Sequence, residues 1–398
     1  MSKHFNICNI YIFLWCLYSL QGVLYAKGSI ISQAVLLVLL LISLYYTVQT
    51  IFKTEMPPYL KAAGWLLSMF TVYGMILILS SEQLYVREGD VGLVSNKDYL
   101  KNIYISLLPI YTFFIFAKQG LLTESLLRKC VPIFLIIIIA AFFRVQNELL
   151  AEAEEMLSNK EEFTNNTGYL FLSMIPLLLF VKRPILKYIL LLVCVVFIIT
   201  AMKRGAIIIY IISLIPFFYW TLRNTSLKRK IALFALVIGC TVAIVNYISY
   251  MLETSEYFNA RLEQTLAGDA SNRESMYPIL LRQIFYYATP LQLLFGHGAW
   301  GTLKISDNFA HNDWLEIGIN QGMLGIVVYI IYWIAFYITA REIKYNNTAR
   351  HALMLIMLIY FIKTMFSMSY DSMPIYATIV IGYCLANYKS DLSNKVLL

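Results

Sequence analysis

A histidine at position 311 is the predicted source of acid–base chemistry in this chain, because of its position in the sequence. It lies in the run Ala310-His311-Asn312-Asp313-Trp314-Leu315, at the end of the one long polar segment of an otherwise apolar sequence. An imidazole titrates near neutral pH and takes a proton from a hydroxyl group placed beside it. The pattern predicts a general base at a membrane surface, with Asn312 in support. The alternative is a histidine that only forms a hydrogen bond at an interface.

Two arginines are candidates for binding a phosphate. Arg204 follows Lys203 in a polar turn and precedes Gly205, which allows close backbone approach, and Arg273 falls at the predicted start of a loop helix. A guanidinium offers paired donors to phosphoryl oxygens, and a helix N-terminus attracts anions. The alternatives are snorkelling to lipid headgroups for the first pair and an ordinary solvated position for Arg273. For two further candidates, the solvated position is the favoured interpretation: Arg261 and Arg282.

These groups need membrane helices to position them. The 398 residues are 60% hydrophobic and 14% charged, a composition that excludes a soluble domain. Apolar runs repeatedly approach the ~20 residues that a helix needs to cross a bilayer. Because no cleavage site follows the first run, we expect it to be retained. Twelve spans are predicted, near 5–25, 29–52, 60–80, 102–118, 129–147, 166–182, 184–201, 205–222, 230–250, 320–340, 351–369 and 372–388.

The distribution of charge predicts which face each loop occupies. An even number of spans puts both termini on one side, and the positive-inside rule assigns that side to the cytoplasm. On this assignment the cytoplasmic segments hold 18 of the 31 cations and only four of the 23 acids. The net charge of +8 therefore needs no nucleic-acid partner. The predicted units are helices one to nine in 1–250, a long external loop in 251–319, and three helices with a cytoplasmic tail in 320–398.

The external loop is predicted to contain short helices. An amphipathic helix is expected over 253–266, and a second near Arg273 with Ser271 or Asn272 as its N-cap. A glycine-rich turn follows at 294–298, before the His311 run. Gly322 and Gly325, one turn apart after the histidine, are expected to let another helix approach closely. The histidine itself is expected to cap the helix that enters the membrane.

Several kinds of site are disfavoured. The chain has neither a P-loop nor a glycine-rich dinucleotide fingerprint, and no cysteine falls in a predicted external loop. Asp313 and Glu316 beside His311 are a weak signal for a metal, so neither metal nor cofactor is predicted. Arg144 and Lys363 fall inside predicted spans, where each needs a partner or a polar cavity.

Four short elements resemble the motifs of one known group, the O-antigen ligase and polymerase superfamily. His311-Asn312-Asp313-Trp314-Leu315 with Gly322 and Gly325 is similar to its histidine signature, and Leu294-Phe295-Gly296-His297-Gly298 to its glycine-rich turn. Lys203-Arg204-Gly205-Ala206 is similar to a Ser-Arg-Gly-Ala turn, with lysine in place of serine. Ser271-Asn272-Arg273 with Tyr277 resembles a Ser-Gly-Arg element followed by tryptophan. The four elements occur in the order typical of that superfamily.

The resemblance implies an all-α, polytopic, metal-independent glycosyltransferase of the GT-C type in the bacterial inner membrane. It would take a glycan from undecaprenyl diphosphate on the periplasmic face and pass it to a hydroxyl of a lipid A core or of another lipid-linked glycan. Arg204 and Arg273 would bind the diphosphate, and His311 would activate the acceptor. Ligase and polymerase stay open. The alternatives are a transporter or flippase for a lipid-linked glycan, with Arg144 and Lys363 on its path, and a non-enzymatic assembly partner.

Overall fold

The protein is built almost entirely of helices. The computed structural model describes residues 6–80, 82, 84–86, 92–151, 165–223, 225–227, 231, 239, 242, 245–246, 249–250, 253, 259 and 273–389. Within them, a small antiparallel hairpin of β1 (Leu84–Val86) and β2 (Gly92–Val94) is the one sheet. The predicted helix over 253–266 and Arg261 lie outside the described residues, except for positions 253 and 259.

The helices fall into a first set within residues 7–222 and a second set within residues 273–385. The first set is α1 (Ile7–Ser19), α2 (Ile30–Lys53), α3 (Pro58–Ser80), α4 (Asn96–Lys118), α5 (Glu124–Ala151), α6 (Gly168–Leu178), α7 (Pro184–Thr200) and α8 (Arg204–Leu222). The second set is α9 (Arg273–Arg282), a π-helical turn (Gln283–Tyr287), α10 (Pro290–Phe295), α11 (Gly301–Ser306), α12 (Asp313–Arg341), α13 (Asn347–Lys363) and α14 (Ile375–Leu385).

The helices support a multi-pass membrane protein. In the described part of the chain, α2, α3, α4, α5, α8 and α12 are long and apolar enough to cross a bilayer. Other apolar helices, α1, α6, α7 and α14, have only 11 to 17 residues. Most of the predicted span 230–250 lies outside the described residues. The number of twelve spans therefore stays a prediction.

The middle of the bundle is formed by α4. This helix packs against α14, α2 and α3, while α12 packs against α3 on the other side. Gly382 makes the closest approach possible, because a Cβ there would lie 2.4 Å from the Cβ of Phe113. The core is strongly aromatic, and the buried hydroxyls of Tyr59 and Tyr332 satisfy each other across the α3–α12 contact at 2.7 Å.

Helix α12 is broken near its first third, at Gly322. This residue has φ +64° and ψ −158°, which lies outside the helical region. A Cβ at this position would lie 2.6 Å from the backbone nitrogen of Gly296. The expectation that another helix approaches closely is met at Gly322, where a Cβ would also lie 2.7 Å from the carbonyl oxygen of Leu293 in α10, whereas at Gly325 it stays a prediction. Gly322 admits the turn after α10, and a Cβ on Gly325 would meet Ile317 and Gln321 of its own helix.

Candidate active site

His311 stands just before α12, in a strained backbone conformation. Its φ is +50°, in the left-handed region that few non-glycine residues adopt, and the residue is half-buried. The helix is capped not by His311, as expected, but by Asn312, whose Oδ1 accepts from the nitrogens of Trp314 at 3.0 Å and Leu315 at 3.2 Å. The short amide reaches back to these donors, which leaves the imidazole outside the cap.

Asn312 also joins the start of α12 to α9. Its side chain lies near the hydroxyl of Tyr277, one turn along α9 from Arg273. Burial raises the pKa of this hydroxyl, while Arg273 and Asn312 oppose the rise. The supporting residue predicted beside the histidine thus links the two elements that carry the histidine and an arginine.

Arg273 is the first residue of α9, where the sequence predicts a helix start. Its Nη2 donates to the carbonyl oxygen of Phe366 at 3.1 Å. Its Nε is buried and has no hydrogen-bond partner among the residues that the structure describes. A buried guanidinium donor without a partner is costly, so this group is prepared for an acceptor such as a phosphoryl oxygen.

Arg204 begins α8 and lies near the same point. The next residue, Gly205, is fully enclosed, since a Cβ there would lie 2.5 Å from the Tyr169 hydroxyl and 3.0 Å from the Cβ of Phe366. Lys203 and Arg204 are both half-buried. The glycine therefore brings the start of α8 against the residue whose carbonyl oxygen binds Arg273.

The stretch between α13 and α14, which we name the 364–372 segment, contacts every one of these helix starts. The backbone nitrogen of Asp313 donates to the carbonyl oxygen of Thr364 at 2.9 Å, and Trp314 Nε1 donates to the hydroxyl of Thr364 at 3.0 Å. The backbone nitrogen of Ser369 donates to Asp313 Oδ1 at 2.7 Å. The 364–372 segment therefore contacts each of the helix starts that carry the predicted site residues.

Asp371 in this segment was not among the residues predicted from the sequence. Burial raises the pKa of its carboxyl to about 6, against the opposing charges of Lys363 and His311. A carboxylate near an imidazole stabilises the protonated form of that imidazole. The only sequence signal is a single acid in the very short predicted turn near 370.

Lys363 has partners of its own at the end of α13. It is buried, its Nζ donates to the hydroxyl of Ser372 at 2.6 Å, and it lies 5.1 Å from the ring centre of Tyr169. Asp313 and Asp371 supply the opposite charge. The intramembrane lysine therefore belongs to the edge of the candidate site.

Glu316 holds the turn that precedes His311. Its carboxylate accepts from the backbone nitrogen of Ala310 at 2.5 Å and from the hydroxyl of Thr302 at 2.7 Å. Asn320, one turn further along α12, donates to it at 3.2 Å. The two acids beside the histidine thus face protein donors, Glu316 toward α11 and Asp313 toward the 364–372 segment.

Two predicted residues lie away from this cluster. Arg282 is exposed at the far end of α9. Arg144 binds Glu148, with Nε and Oε1 3.4 Å apart, and donates to the carbonyl oxygen of Gln21. Arg144 is therefore part of a separate polar group, where α5 meets the turn after α1.

Comparison with known proteins supports the resemblance seen in the motifs. Residues 189–330 match the family model described as O-antigen ligase, and this range contains Arg204, Arg273 and His311. The 364–372 segment lies beyond its end. A comparison with curated protein sequences gives no match. The match over the motif-bearing region confirms the predicted relationship: residues 189–330 of this multi-pass membrane protein are similar to the O-antigen ligase family.

Proposed function

We propose that the protein is a membrane glycosyltransferase that moves a glycan from undecaprenyl diphosphate to an acceptor hydroxyl on the periplasmic face. One observation carries the proposal: the 364–372 segment meets both the arginine side and the histidine side. Its Phe366 contacts Arg273 and Gly205, and its Asp371 is close enough to His311 for the charge of the imidazole to lower the pKa of the carboxyl. These contacts support a single site formed by three chain segments that are distant in sequence, with Arg204, Arg273 and His311 as its proposed residues.

The donor half of the proposed site consists of Arg204 and Arg273. Diphosphate leaves with the electron pair of the bond between its oxygen and the anomeric carbon, so negative charge grows on it in the transition state. Guanidinium donors that stabilise this growing charge more than the ground state accelerate the reaction. The partnerless Nε of Arg273 fits this role. Lys203, at the N-cap position of α8, adds a second positive charge beside Arg204.

The acceptor half consists of His311, with Asp371 and Asn312 behind it. The imidazole takes the proton of the acceptor hydroxyl while the acceptor oxygen forms the new bond to the anomeric carbon. Asp371 balances the positive charge that the imidazole gains, and Asn312 fixes the backbone on which it stands. This single displacement inverts the configuration of the sugar and needs no metal or cofactor.

The acceptor is a lipid A core for a ligase or a second lipid-linked glycan for a polymerase. The transporter alternative gains no support from the two intramembrane cations. Arg144 lies with Gln21 and Glu148, whereas Lys363 lies with Tyr169 and Ser372, so they occupy separate polar clusters. On the proposed function the protein lies in the bacterial inner membrane, with both termini in the cytoplasm.

The test uses the purified protein in lipid nanodiscs with a lipid-diphosphate glycan. Each acceptor class is offered separately, and the products are analysed by mass and by the configuration of the new bond. We expect an inverted linkage to one acceptor class and release of the lipid diphosphate. No product with either acceptor, together with movement of the intact donor across a liposome membrane, would favour the transporter.

A further inference from the structure

The stretch Gln283–Phe295, which we name the aromatic segment, exposes large apolar side chains at some distance from the candidate site. It comprises the π-helical turn and α10. The exposed fractions are 73% for Phe285, 81% for Tyr286 and 71% for Leu291. No aspartate, glutamate, lysine or arginine occurs from 283 to 303. A soluble surface rarely carries so continuous an apolar patch without a partner.

The segment is fixed to the membrane-spanning part of the bundle. Tyr73 of α3 donates its hydroxyl to the carbonyl oxygen of Phe295 at 2.5 Å. Gly296 and Gly322 place the turn after α10 directly on the break in α12. The aromatic segment therefore packs against the two long apolar helices within their length, against α3 near Tyr73 and against α12 near Gly322.

The neighbouring faces of those two helices are exposed and apolar as well. Ile76 of α3 is 59% exposed and Met323, just after the break in α12, is 50% exposed. Both helices belong to the candidate membrane spans, so their exposed faces contact lipid. The aromatic segment continues these faces without an intervening charge.

We infer that the aromatic segment lies in the membrane–water interface and that Phe285, Tyr286 and Leu291 contact lipid. Tyrosine rings favour this region because they combine an apolar body with a polar tip. Arg282 immediately precedes the segment and is exposed, which suits a cation that reaches lipid phosphate. The partner of this surface is therefore the bilayer. Burial of the segment by a second copy of the chain or by a soluble protein is the competing outcome of the experiments below.

This position gives the candidate site a short connection to lipid. Helix α9 runs from Arg273 to Arg282, and a ten-residue helix is ~15 Å long. One end of α9 thus lies at the candidate diphosphate site and the other at the membrane surface. For a lipid-linked donor this connection rests on the proposed function, whereas lipid contact by the segment does not.

Hydroxyl-radical footprinting of the unaltered protein in nanodiscs tests the inference. Tyr345, in the turn between α12 and α13, is a matched control because it is 56% exposed and lies outside the spans. In the absence of lipid, the side chain of Tyr286 is more exposed to solvent than that of Tyr345, 81% against 56%. We expect Tyr286 nevertheless to react at least fivefold more slowly, because lipid covers it. Equal or faster reaction of Tyr286 would overturn the inference.

Spin labels in a cysteine-free variant identify what covers the segment. Labels replace Tyr286 or Leu291, with Leu79 of α3 as the lipid control and Asp307 as the water control; Leu79 is 77% exposed and Asp307 is exposed. The ratio of collisions with oxygen to collisions with a nickel chelate rises with depth. We expect ratios near that of Leu79 at both test positions. Ratios at the Asp307 value overturn the inference, as does low access to both reagents, which indicates a protein partner. Neither readout depends on glycan transfer.

Discussion

The guanidinium of Arg273 donates from Nη2 to the carbonyl oxygen of Phe366, so a cation at the start of α9 is oriented by the backbone of the 364–372 segment. This bond uses one edge of the guanidinium and leaves the buried Nε unpaired among the described residues. A planar donor group held in this way presents a defined direction to an anion. A charge without that geometry does not replace it.

We therefore predict that Arg273→Lys lowers kcat/KM for glycan transfer by roughly 100-fold although the charge is kept, because lysine cannot offer two fixed donors. Arg282→Lys is the matched control on the same helix and should retain transfer. Initial rates in nanodiscs at several donor concentrations provide the measurement. Wild-type rates for the Arg273 variant would rule out its assigned role.

Replacement of His311 requires a residue that tolerates its backbone. Asparagine adopts the left-handed region more readily than most residues, so His311→Asn keeps the φ of +50° and removes the base. We expect kcat to fall by about 10² to 10⁴, the usual contribution of a general base. Asp307→Asn, at φ +54°, is the control and should transfer normally. A His311 variant that folds and keeps its kcat would contradict the assignment.

The ionised carboxylate of Asp371 should destabilise the folded protein at neutral pH. The pKa of this carboxyl rises from near 3.8 to about 6 on folding, so the folded state favours the protonated form. The stability that this provides is complete below pH 3.8 and is lost as the pH rises through about 6. Burial outweighs the attraction of Lys363. Asp371→Asn should therefore raise Tm at pH 8, by an amount that corresponds to at most about 3 kcal/mol. The gain should shrink at pH 5, and transfer should fall at both pH values. A variant less stable than wild type at pH 8 would contradict this prediction.

Gly322→Ala should destabilise the protein for two reasons that a control can separate. The φ of +64° disfavours any Cβ, and the Cβ would also collide with the backbone around Gly296. Gly28 has φ +71° but nothing within 4 Å of a Cβ, so Gly28→Ala carries only the first cost, roughly 1 kcal/mol. We expect a clearly larger loss of Tm for Gly322→Ala. Equal losses would mean that the contact with Gly296 relaxes at no cost.

Periodicity and composition predict the helical membrane architecture because long apolar runs have few alternatives in a bilayer. The relationship indicated by the motifs is confirmed, and a helix is present from Arg273 onward in the described part of the chain, whereas its predicted start stays a prediction. The roles of Arg204, Arg273 and His311 stay predictions. Motif spacing identifies which residues occur together in a chain, but it does not say what holds them.

The parts that sequence reasoning missed depend on contacts between distant segments. Asp371 and Phe366 gain their significance only because α13 and α14 fold back onto the starts of α8, α9 and α12. The capping residue was misassigned for a local reason: Asn312 has a side chain short enough to reach the free amides, and His311 does not. The break at Gly322 likewise depends on a distant contact, because the end of α10 and the turn at Gly296 pack directly against it.

The position of the 364–372 segment restricts how this protein can be recombined with its relatives. A chimera that takes 1–341 from this chain and the remainder from another member keeps all four motifs, yet its 364–372 segment, which here contacts Arg273 through Phe366 and carries Asp371, comes from the other member. We therefore expect that exchange of the external loop alone does not transfer the preference for donor and acceptor. The last two helices must be inherited together with the motifs that they support.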